Sequence, residues 1–460
     1  MIKLTQTEHK IFSLLLDLIT YKKLDLTVRV AGGWVRDKIL GYHCTDIDIA
    51  LDKMMGQEFI VILAEYLKMK QIESHGFGVI KKQPEKSKHL ETATIQIYGL
   101  WVDFVNLRGE EYTEHSRIPK QVIGTPIEDA YRRDFTMNAL FYNINEEKIE
   151  DFTERGLSDL KNGIIRTPLD SYQTFIDDPL RILRAFRFSA RFDYHIEDKA
   201  YKALQLPEIK EMFVKKISKE RVGKEFEANF KNIAKTKRCL KFLEHIHNCG
   251  YWPCILITND VDTIERGYQQ MVLLENKFDY LCDYYQELEK NHKDINFDEL
   301  IYLSYLAVLM LHFYDPKIYD SKKQFGFDVI KNRLKLPIKM AMFTVRFQYL
   351  LRALEKIADN PTIVDLALWQ RECGYLWEVI YLSYNIIYPD RQPINVRELL
   401  ETNGLIEFHK QKCLLNGKEV TEYFNVTNEN IKKKMDEIIV WQAQNPNKTK
   451  EEFLKEHNLI

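Results

Sequence analysis

Hydrophobic and polar positions follow two different periods along the chain. Up to about residue 145, short runs of β-branched and aromatic residues alternate with helical stretches and with glycine or charged turns, as in strands mixed with helices. The strand-like runs are VRVAGG, DIDIALD, TATIQI, WVDFVNL and ALFYNI. After about Pro168 the apolar residues recur every three to four positions almost to the end. The pattern therefore predicts an α+β first third and a mostly helical remainder.

Breaks in the helical pattern suggest where the remainder divides. A chain of 460 residues has room for about three domains of ~150 residues. Asn248-Cys249-Gly250 and the segment from Pro389 to Pro393 interrupt the periodicity. At the start, Thr5 and Glu8 have the spacing of a helix capping box. The apolar run Leu300 to Phe313 is too short for a membrane span, so we expect a buried helix there.

Composition restricts the class of protein. The chain has 45% hydrophobic and 29% charged residues, with 66 Lys and Arg against 68 Asp and Glu. This balance excludes a uniformly basic nucleic-acid coat but allows local basic patches. Seven scattered cysteines without a C-x-x-C pair argue against a disulfide framework or a zinc module and indicate a reducing compartment. The first residues do not have the pattern of a signal or transit peptide.

A glycine pair provides the first candidate for phosphate binding. Gly32 and Gly33 follow the strand-like VRVA and precede a short helical pattern that contains Arg36. Adjacent glycines allow close approach of an anion, and a helix start beside an arginine favours one. A tight turn without a ligand is the commoner explanation for such a pair.

Acidic residues on the next strands provide the second candidate, a site for a metal ion. Asp46 and Asp48 flank Ile47, and alternate strand residues point to one face, so the two carboxylates converge. Two carboxylates on one face suit Mg²⁺. Asp103 lies in another strand-like run, where a buried carboxylate needs a partner or a metal. It either completes the metal site or pairs with Arg108.

Arginine-rich segments provide the third candidate, a site for the nucleotide. Arg132 and Arg133 precede an apolar run that contains Asn138, and they form either a clamp for a triphosphate or ribose or a surface ion-pair turn. Further on, Asp177 and Asp178 precede a helical pattern in which arginines recur at every third residue. These arginines are Arg181, Arg184 and Arg187. They form either a solvated ridge or one wall of a polar slot for a base and phosphates.

Together these segments resemble the class II tRNA nucleotidyltransferases, the CCA-adding enzymes, in their eukaryotic, fungal-like form. The matching segments occur in family order over roughly residues 28 to 228. They are GGWVRD with DID, KSKHLETATIQIYGLWVDFVNLR, RRDFTMNALFYN, DFTERGLSDLKNGIIRTP, DDPLRILRAFRFSARF and ISKERVGKEFE.

The resemblance implies a fold, with a polymerase-β-like nucleotidyltransferase head followed by an all-α neck, body and tail. We place the head at 1–150, the neck with its base-recognition helix at 151–250, the body at 251–390 and the tRNA-binding tail at 391–460.

The resemblance also implies roles for individual residues. Asp46 and Asp48 would bind Mg²⁺, with Asp103 as a supporting carboxylate. The nucleotide site would comprise Gly32, Gly33, Arg36, Arg133, Asp178, Arg181, Arg184 and Arg187. In this site Asp178 and Arg181 would recognise the base.

The implied activity is the addition of CMP, CMP and AMP from CTP and ATP to the 3′ end of tRNA, with release of pyrophosphate. A basic run after the neck helix would follow the RNA phosphates through Lys215, Lys216, Lys219, Arg221 and Lys224. The segment KKQPEKSKH at 81–89 is expected to form a loop beside the site.

Two other functions compete with this one: a bacterial-type poly(A) polymerase and a non-catalytic RNA-binding relative. We expect no membrane spans. We expect the protein in the cytoplasm, with mitochondria and the nucleus as further candidate compartments.

Overall fold

The computed structural model describes residues 2–80, 92–111, 120–233, 238–291, 297–391 and 394–460. The chain divides into two units, Met1–Lys216 and Ile217–Ile460. The loop expected at 81–89 lies outside the described residues. The finer division of the chain at 150, 250 and 390 stays a prediction.

The first unit contains every strand of the described chain. These are β1 (Val28–Ala31), β2 (Ile47–Leu51), β3 (Ser74–Ile80), β4 (Thr92–Ile97), β5 (Leu100–Asn106), β6 (Arg108–Glu111), β7 (Lys120–Ile123), β8 (Phe141–Asn143), β9 (Lys148–Glu150), β10 (Ile164–Ile165) and β11 (His195–Ile196). The helices of this unit are α1 (Gln6–Lys22), α2 (Gly33–Ile39), α3 (Gly56–Met69), α4 (Pro126–Tyr131), α5 (Gly156–Asn162), α6 (Ser171–Asp177), α7 (Leu180–Phe192), α8 (Asp198–Leu204) and α9 (Pro207–Lys216). All five predicted strands are present, so the α+β first third is confirmed.

Seven of these strands form one mixed sheet in the order β3-β4-β5-β2-β1-β8-β9. Only β2 and β5 run parallel; the other neighbouring pairs of this sheet are antiparallel. Ile47 and Ile49 are fully buried on one side of β2, whereas Asp48 between them is exposed. The alternation of strand side chains therefore places the core under one face of the sheet and leaves the acidic residues on the other.

A buried glutamate joins the first helix to α2. Thr5 and Glu8 form the predicted capping box at the start of α1. Glu8 is 1% exposed and accepts hydrogen bonds from the indole of Trp34 at 2.9 Å and from Lys38 Nζ at 2.7 Å. The same side chain thus caps the start of α1 and anchors α2, which begins at the second glycine of the pair.

The described residues of the second unit contain helices joined by loops and no strand, which confirms the prediction for the remainder. Its helices are α10 (Lys219–Ile233), α11 (Arg238–Asn248), α12 (Trp252–Leu256), α13 (Val261–Glu275), α14 (Phe278–Asn291), α15 (Phe297–Leu309), α16 (Phe325–Asp328), α17 (Ile338–Ala358), α18 (Ile363–Cys373), α19 (Trp377–Ile387), α20 (Val396–Thr402), α21 (Gly417–Phe424), α22 (Asn428–Gln444) and α23 (Lys450–Glu456). As expected, α15 is buried over its later turns. No helix of the described ranges is long and apolar enough to cross a membrane.

One helical stretch differs from the sequence pattern. Residues 328–357 keep an amphipathic helical spacing, but the structure has a π-helical turn at Val329–Arg333 and begins α17 after Pro337. Proline has no backbone N–H to donate and disfavours a helical residue before it, so the chain breaks there although the apolar spacing continues.

Candidate active site

Three carboxylates meet on the solvent-facing side of the sheet. Asp48 on β2 is directly opposite Asp103 on the parallel strand β5, and Asp46 immediately precedes β2. Thr94 on the adjacent strand β4 donates its hydroxyl to Asp103 Oδ1 at 2.7 Å. The described residues contain no ion pair between Asp103 and Arg108. The placement thus agrees with the first of the two alternatives for Asp103, a member of the acidic group.

The electrostatics of this group suit a cation. Solvent reaches Asp48, yet the surrounding protein displaces much of its hydration. This desolvation raises the pKa of Asp48, and the charges of Asp103 and Asp46 raise it further. No group of three or more His, Cys, Asp or Glu side chains in the described ranges is arranged to hold a metal ion by itself. Mg²⁺ is commonly held by one or two carboxylates together with substrate phosphates, and this acidic pair fits that mode.

The glycine turn makes room for an arginine. Gly32 has φ of +70°, and a Cβ added to it would lie 2.7 Å from Nη1 of Arg133. That same nitrogen donates to the carbonyl of Asn138 at 3.3 Å. Any larger residue at position 32 would be strained and would displace the guanidinium. Gly33 has open space by comparison, since its nearest neighbour is 3.6 Å from the added Cβ.

A carboxylate that the sequence reasoning missed holds the two adjacent arginines. Asp129 on α4 is 2% exposed. Its Oδ1 accepts from Arg132 and its Oδ2 from Arg133, each at 2.7 Å from the nearer nitrogen. Burial alone would raise the pKa of Asp129, but the charges of Arg133 and Arg132 lower it overall. The spacing of three and four residues along one helix was the available signal.

The arginines around Asp129 outnumber its single negative charge. Arg108 donates its backbone N–H to Asp129 Oδ1 at 3.3 Å. Burial and the neighbouring charge of Arg132 lower the pKa of Arg108 to about 9, which leaves its side chain charged at neutral pH. Arg133 in turn lies close enough to Asp48 to influence its pKa. A positive surface therefore borders the carboxylates on the side of β1, as a triphosphate would need.

Arg36 lies deeper than the resemblance suggests. It is 4% exposed, and its Nε donates to Asp37 at 2.8 Å while its Nη1 donates to Asn138 at 2.5 Å. The rings of Phe188 and Phe192 on α7 lie 4.9 and 4.8 Å from its guanidinium carbon. In this conformation Arg36 joins the glycine turn to α7, which is a structural position.

Helix α7 approaches the segment after α4 through two of its predicted arginines. Arg184 donates from Nε to Oδ2 of Asp134 at 2.7 Å, and Arg181 donates to the carbonyl of Arg132 at 2.5 Å. Burial opposes ionisation of Asp134, but the charge of Arg184 and the hydrogen bonds of Asn138 and Arg184 lower its pKa to about 2. The RRD segment and the arginine helix, which are separate in sequence, thus form one unit of structure.

The remaining predicted site residues lie on or beside α7. Asp178 ends α6 and accepts from the backbone N–H of Leu180 at 3.2 Å, so it lies one turn from Arg181 at the start of α7. Arg187 is 8% exposed and stacks on Phe188 with its guanidinium carbon 4.3 Å from the ring centre. Arg187 is therefore buried, in contrast to the ridge suggested by the spacing.

The basic run divides between the two units. Lys215 and Lys216 end α9, and Lys216 Nζ donates to the carbonyl of Ile176 at 2.6 Å. In the second unit Lys219, Arg221 and Lys224 begin α10, where Lys224 pairs with Glu220 at 2.9 Å. Part of the positive charge is thus compensated locally, as on an ordinary solvated helix.

Similarity to known proteins covers the chain almost completely. A sequence model of the poly A polymerase head domain matches residues 28–166. The chain is 34% identical to a mitochondrial CCA tRNA nucleotidyltransferase of Candida glabrata, over 98% of this chain and 95% of that one. It is 36% identical to a tRNA nucleotidyltransferase of Schizosaccharomyces pombe, over 93% and 90% of the two chains.

Solved structures share the fold. A CCA-adding enzyme in complex with CTP matches with a TM-score of 0.67 at 21% identity, covering 98% of this chain and 95% of that one. The CCA-adding enzyme of Thermotoga maritima with bound tRNA matches with a TM-score of 0.65 over the same shares. Both comparisons extend beyond the sheet into the helical second unit.

Proposed function

The chain belongs to the CCA tRNA nucleotidyltransferase family, and on this premise we propose that it adds C, C and A to the 3′ end of tRNA from CTP and ATP. Two relatives that match nearly the whole chain are named as a CCA tRNA nucleotidyltransferase and a tRNA nucleotidyltransferase. The observation that supports it here is the convergence of Asp46, Asp48 and Asp103 beside the cations around Asp129.

The arginines would bind the triphosphate. Arg133 lies between the glycine turn and Asp48, and Arg132 and Arg108 extend the positive surface. Phosphate oxygens can occupy the guanidinium donors that Asp129 leaves open. In this arrangement the α-phosphate lies over the carboxylates, and the developing charge on the departing pyrophosphate stays next to the arginines.

The carboxylates would hold a pair of Mg²⁺ ions. Asp46 and Asp48 would be the ligands, and Asp103 would support them. When bound there, Mg²⁺ would supply Lewis-acid activation of the attacking hydroxyl and positive charge beside the phosphate. The tRNA 3′ oxygen forms the new bond to the α-phosphorus, the bond to the β-phosphate oxygen breaks, and pyrophosphate leaves. No protein nucleophile is required, so the residues contribute positioning and charge.

Asp178 and Arg181 would choose the base. Cytosine and adenine both present an exocyclic amine beside a ring nitrogen acceptor, which matches a carboxylate acceptor and a guanidinium donor. Uracil and guanine place a carbonyl where Asp178 needs a donor. Arg184, held by Asp134, borders the same slot, and Arg187 would support the slot from its buried position.

The test is extension of tRNA that ends before, within or after its CCA, each with CTP, ATP or both. We expect addition of C, C and A, followed by a stop. Unlimited addition of A to arbitrary RNA would instead identify a poly(A) polymerase, which should also refuse CTP. Incorporation of only CC or only A would identify a partial enzyme, and binding without incorporation would identify the non-catalytic relative.

The compartment is a separate proposal. The Candida glabrata relative is named as mitochondrial. We propose that the chain acts in mitochondria as well as in the cytoplasm and nucleus. Cell fractionation with an antibody to the protein measures this distribution.

A further inference from the structure

A tryptophan is exposed at the edge of the acidic group. Trp101, near the start of β5, is 47% exposed, although large aromatic side chains are usually buried. The described residues show no ring stacking on it. Single exposed apolar residues are common on protein surfaces, so exposure alone carries no function. Trp101 differs from such residues in its position in the sheet.

The strand register places Trp101 in line with a predicted metal ligand. Trp101 precedes Val102, which is opposite Ile47, and continuing this register by one residue puts Trp101 beside Asp46, the residue before β2. On the other side Trp101 is opposite Gln96 of β4, which is opposite His75 of β3. Directly paired residues point to the same face, so these side chains form a row on the face that carries Asp48 and Asp103.

The order of the strands separates two sides of this face. The arginine cluster borders β1, β8 and the far end of β5, because Arg133 packs on Gly32 at the end of β1 and over Phe141 of β8, and Arg108 follows the last residue of β5 by two positions. Trp101 lies near the start of β5, next to β4 and at the opposite end of that strand from Arg108. A triphosphate bound to the arginines therefore leaves the Trp101 side open.

In-line displacement requires the attacking oxygen opposite the leaving oxygen. With pyrophosphate leaving toward the arginines, the attacking 3′ hydroxyl must approach from the side of β5. The nucleotide that carries this hydroxyl then lies within reach of Trp101. We propose that Trp101 is a stacking site for the terminal base of the RNA strand that is being extended.

Stacking suits this substrate for a chemical reason. The terminal base of the RNA is not the same throughout the reaction. It is the base of the unextended end before the first addition, and C before the second and third. A hydrogen-bonding site would favour one base and reject the next, whereas an aromatic ring stacks on the flat face of any base. This inference rests on the proposed function, since it assigns the position of the strand acceptor in that reaction.

Steady-state kinetics of Trp101→Ala and Trp101→Phe test the site. For Trp101→Ala we expect the KM for the RNA substrate to rise roughly 5- to 150-fold, the range for loss of one base–aromatic stack. The KM for CTP and the rate at saturating RNA should stay close to wild type. Trp101→Phe should recover most of the affinity. The matched control is Tyr98→Ala, because Tyr98 is 42% exposed in the turn that leads into β5.

Fluorescence provides a readout without turnover. Addition of a short RNA that ends in CC should quench wild-type tryptophan emission, and Trp101→Phe should lose most of that quenching. Quenching should be similar for ends with C or with another base. An RNA KM for Trp101→Ala equal to that of Tyr98→Ala, an equal rise in the KM for CTP, or unchanged quenching in Trp101→Phe would overturn the proposal. Failure of the wild type to extend any tRNA would instead overturn the proposed function.

Discussion

Asp48 and Asp103 lie directly opposite each other on two parallel strands, with side chains on the same face of the sheet. Neither carboxylate forms an ion pair within the described ranges, and desolvation together with Asp103 raises the pKa of Asp48. The metal-free protein therefore carries unfavourable negative charge at this point.

We expect Asp48→Asn to stabilise the metal-free protein at neutral pH while it removes activity. A carboxyl whose pKa is higher in the folded than in the unfolded state binds its proton more tightly when folded. Stability then falls as the pH rises through the interval between the two pKa values. Asparagine has no charge, so it removes the destabilisation that the ionised Asp48 carboxylate causes at neutral pH. Thermal unfolding in EDTA at pH 7 measures the effect, and Asp25→Asn, with a side chain that is 91% exposed, is the control. A lower midpoint in Asp48→Asn would contradict the prediction.

Asp46→Ala and Asp48→Ala should each abolish nucleotide incorporation while tRNA binding survives. Metal-held charge stabilisation is worth several kcal/mol, and each 1.36 kcal/mol is tenfold in rate, so we expect a loss of about 10³-fold or more. Primer extension and a gel-shift assay on the same preparations measure the two properties. Asp25→Ala should match wild type in both. Retained incorporation in either site variant would refute the assignment of the metal ligands.

Asp129→Asn should weaken nucleotide binding more than tRNA binding. The amide can accept from only one of the two arginines, so Arg132 or Arg133 loses its partner. We expect the KM for CTP and for ATP to rise about tenfold, and stability to fall by about 2 kcal/mol, because both arginines keep some contact with water. Ile127→Ala, on the exposed side of the same helix, is the control. Loss of stability with an unchanged KM would leave Asp129 a purely structural role.

Asp134→Asn should destabilise the protein in a manner that depends on pH. The pKa of Asp134 is lowered from 3.8 to about 2, which corresponds to roughly 2 kcal/mol of stability. A lowered carboxyl pKa contributes that stability above the unfolded value, and the contribution disappears as the pH falls toward 2. The difference in unfolding midpoint between wild type and variant should therefore be full at pH 7 and shrink below about pH 4. A difference that is constant with pH would exclude the Arg184 ion pair as its source.

Asp178→Ala and Arg181→Ala should relax the choice of base. One bidentate contact to a base is worth about 1–3 kcal/mol, so discrimination against UTP should fall by roughly 5- to 150-fold. Competition between UTP and CTP on tRNA that lacks its CCA measures this ratio. Asp177→Asn changes the adjacent exposed carboxylate, which accepts from Gln173, and should retain the wild-type ratio. Unchanged discrimination in both site variants would remove these residues from base recognition.

The sequence predicted what depends on local pattern. β-branched and aromatic runs marked the strands, and alternation placed Asp48 on the exposed face of β2, with Asp46 just before the strand. Sequence position could not show that Asp103 is in register with Asp48, because pairing between β2 and β5 depends on the intervening chain.

The sequence pattern could not show contacts between residues that are far apart in the chain. Nothing near Arg36 in sequence indicated that Asn138 and two phenylalanines of α7 would surround it. The three-residue spacing of Arg181, Arg184 and Arg187 suggested equal exposure, but helix packing buries Arg187. Three-residue spacing drifts around a helix, so successive members of such a row face different neighbours.

The pairing of β1 with β8 has a consequence for the synthesis of the protein. Val30 is opposite Tyr142, so the sheet cannot close until more than a hundred further residues have left the ribosome. At typical translation speeds that interval is on the order of ten seconds, during which the edge of β1 that pairs with β8 has no partner strand. The nascent chain therefore exposes unpaired strand edges well before it can bind a nucleotide, and the time of greatest risk of aggregation precedes the first moment at which substrate could protect it.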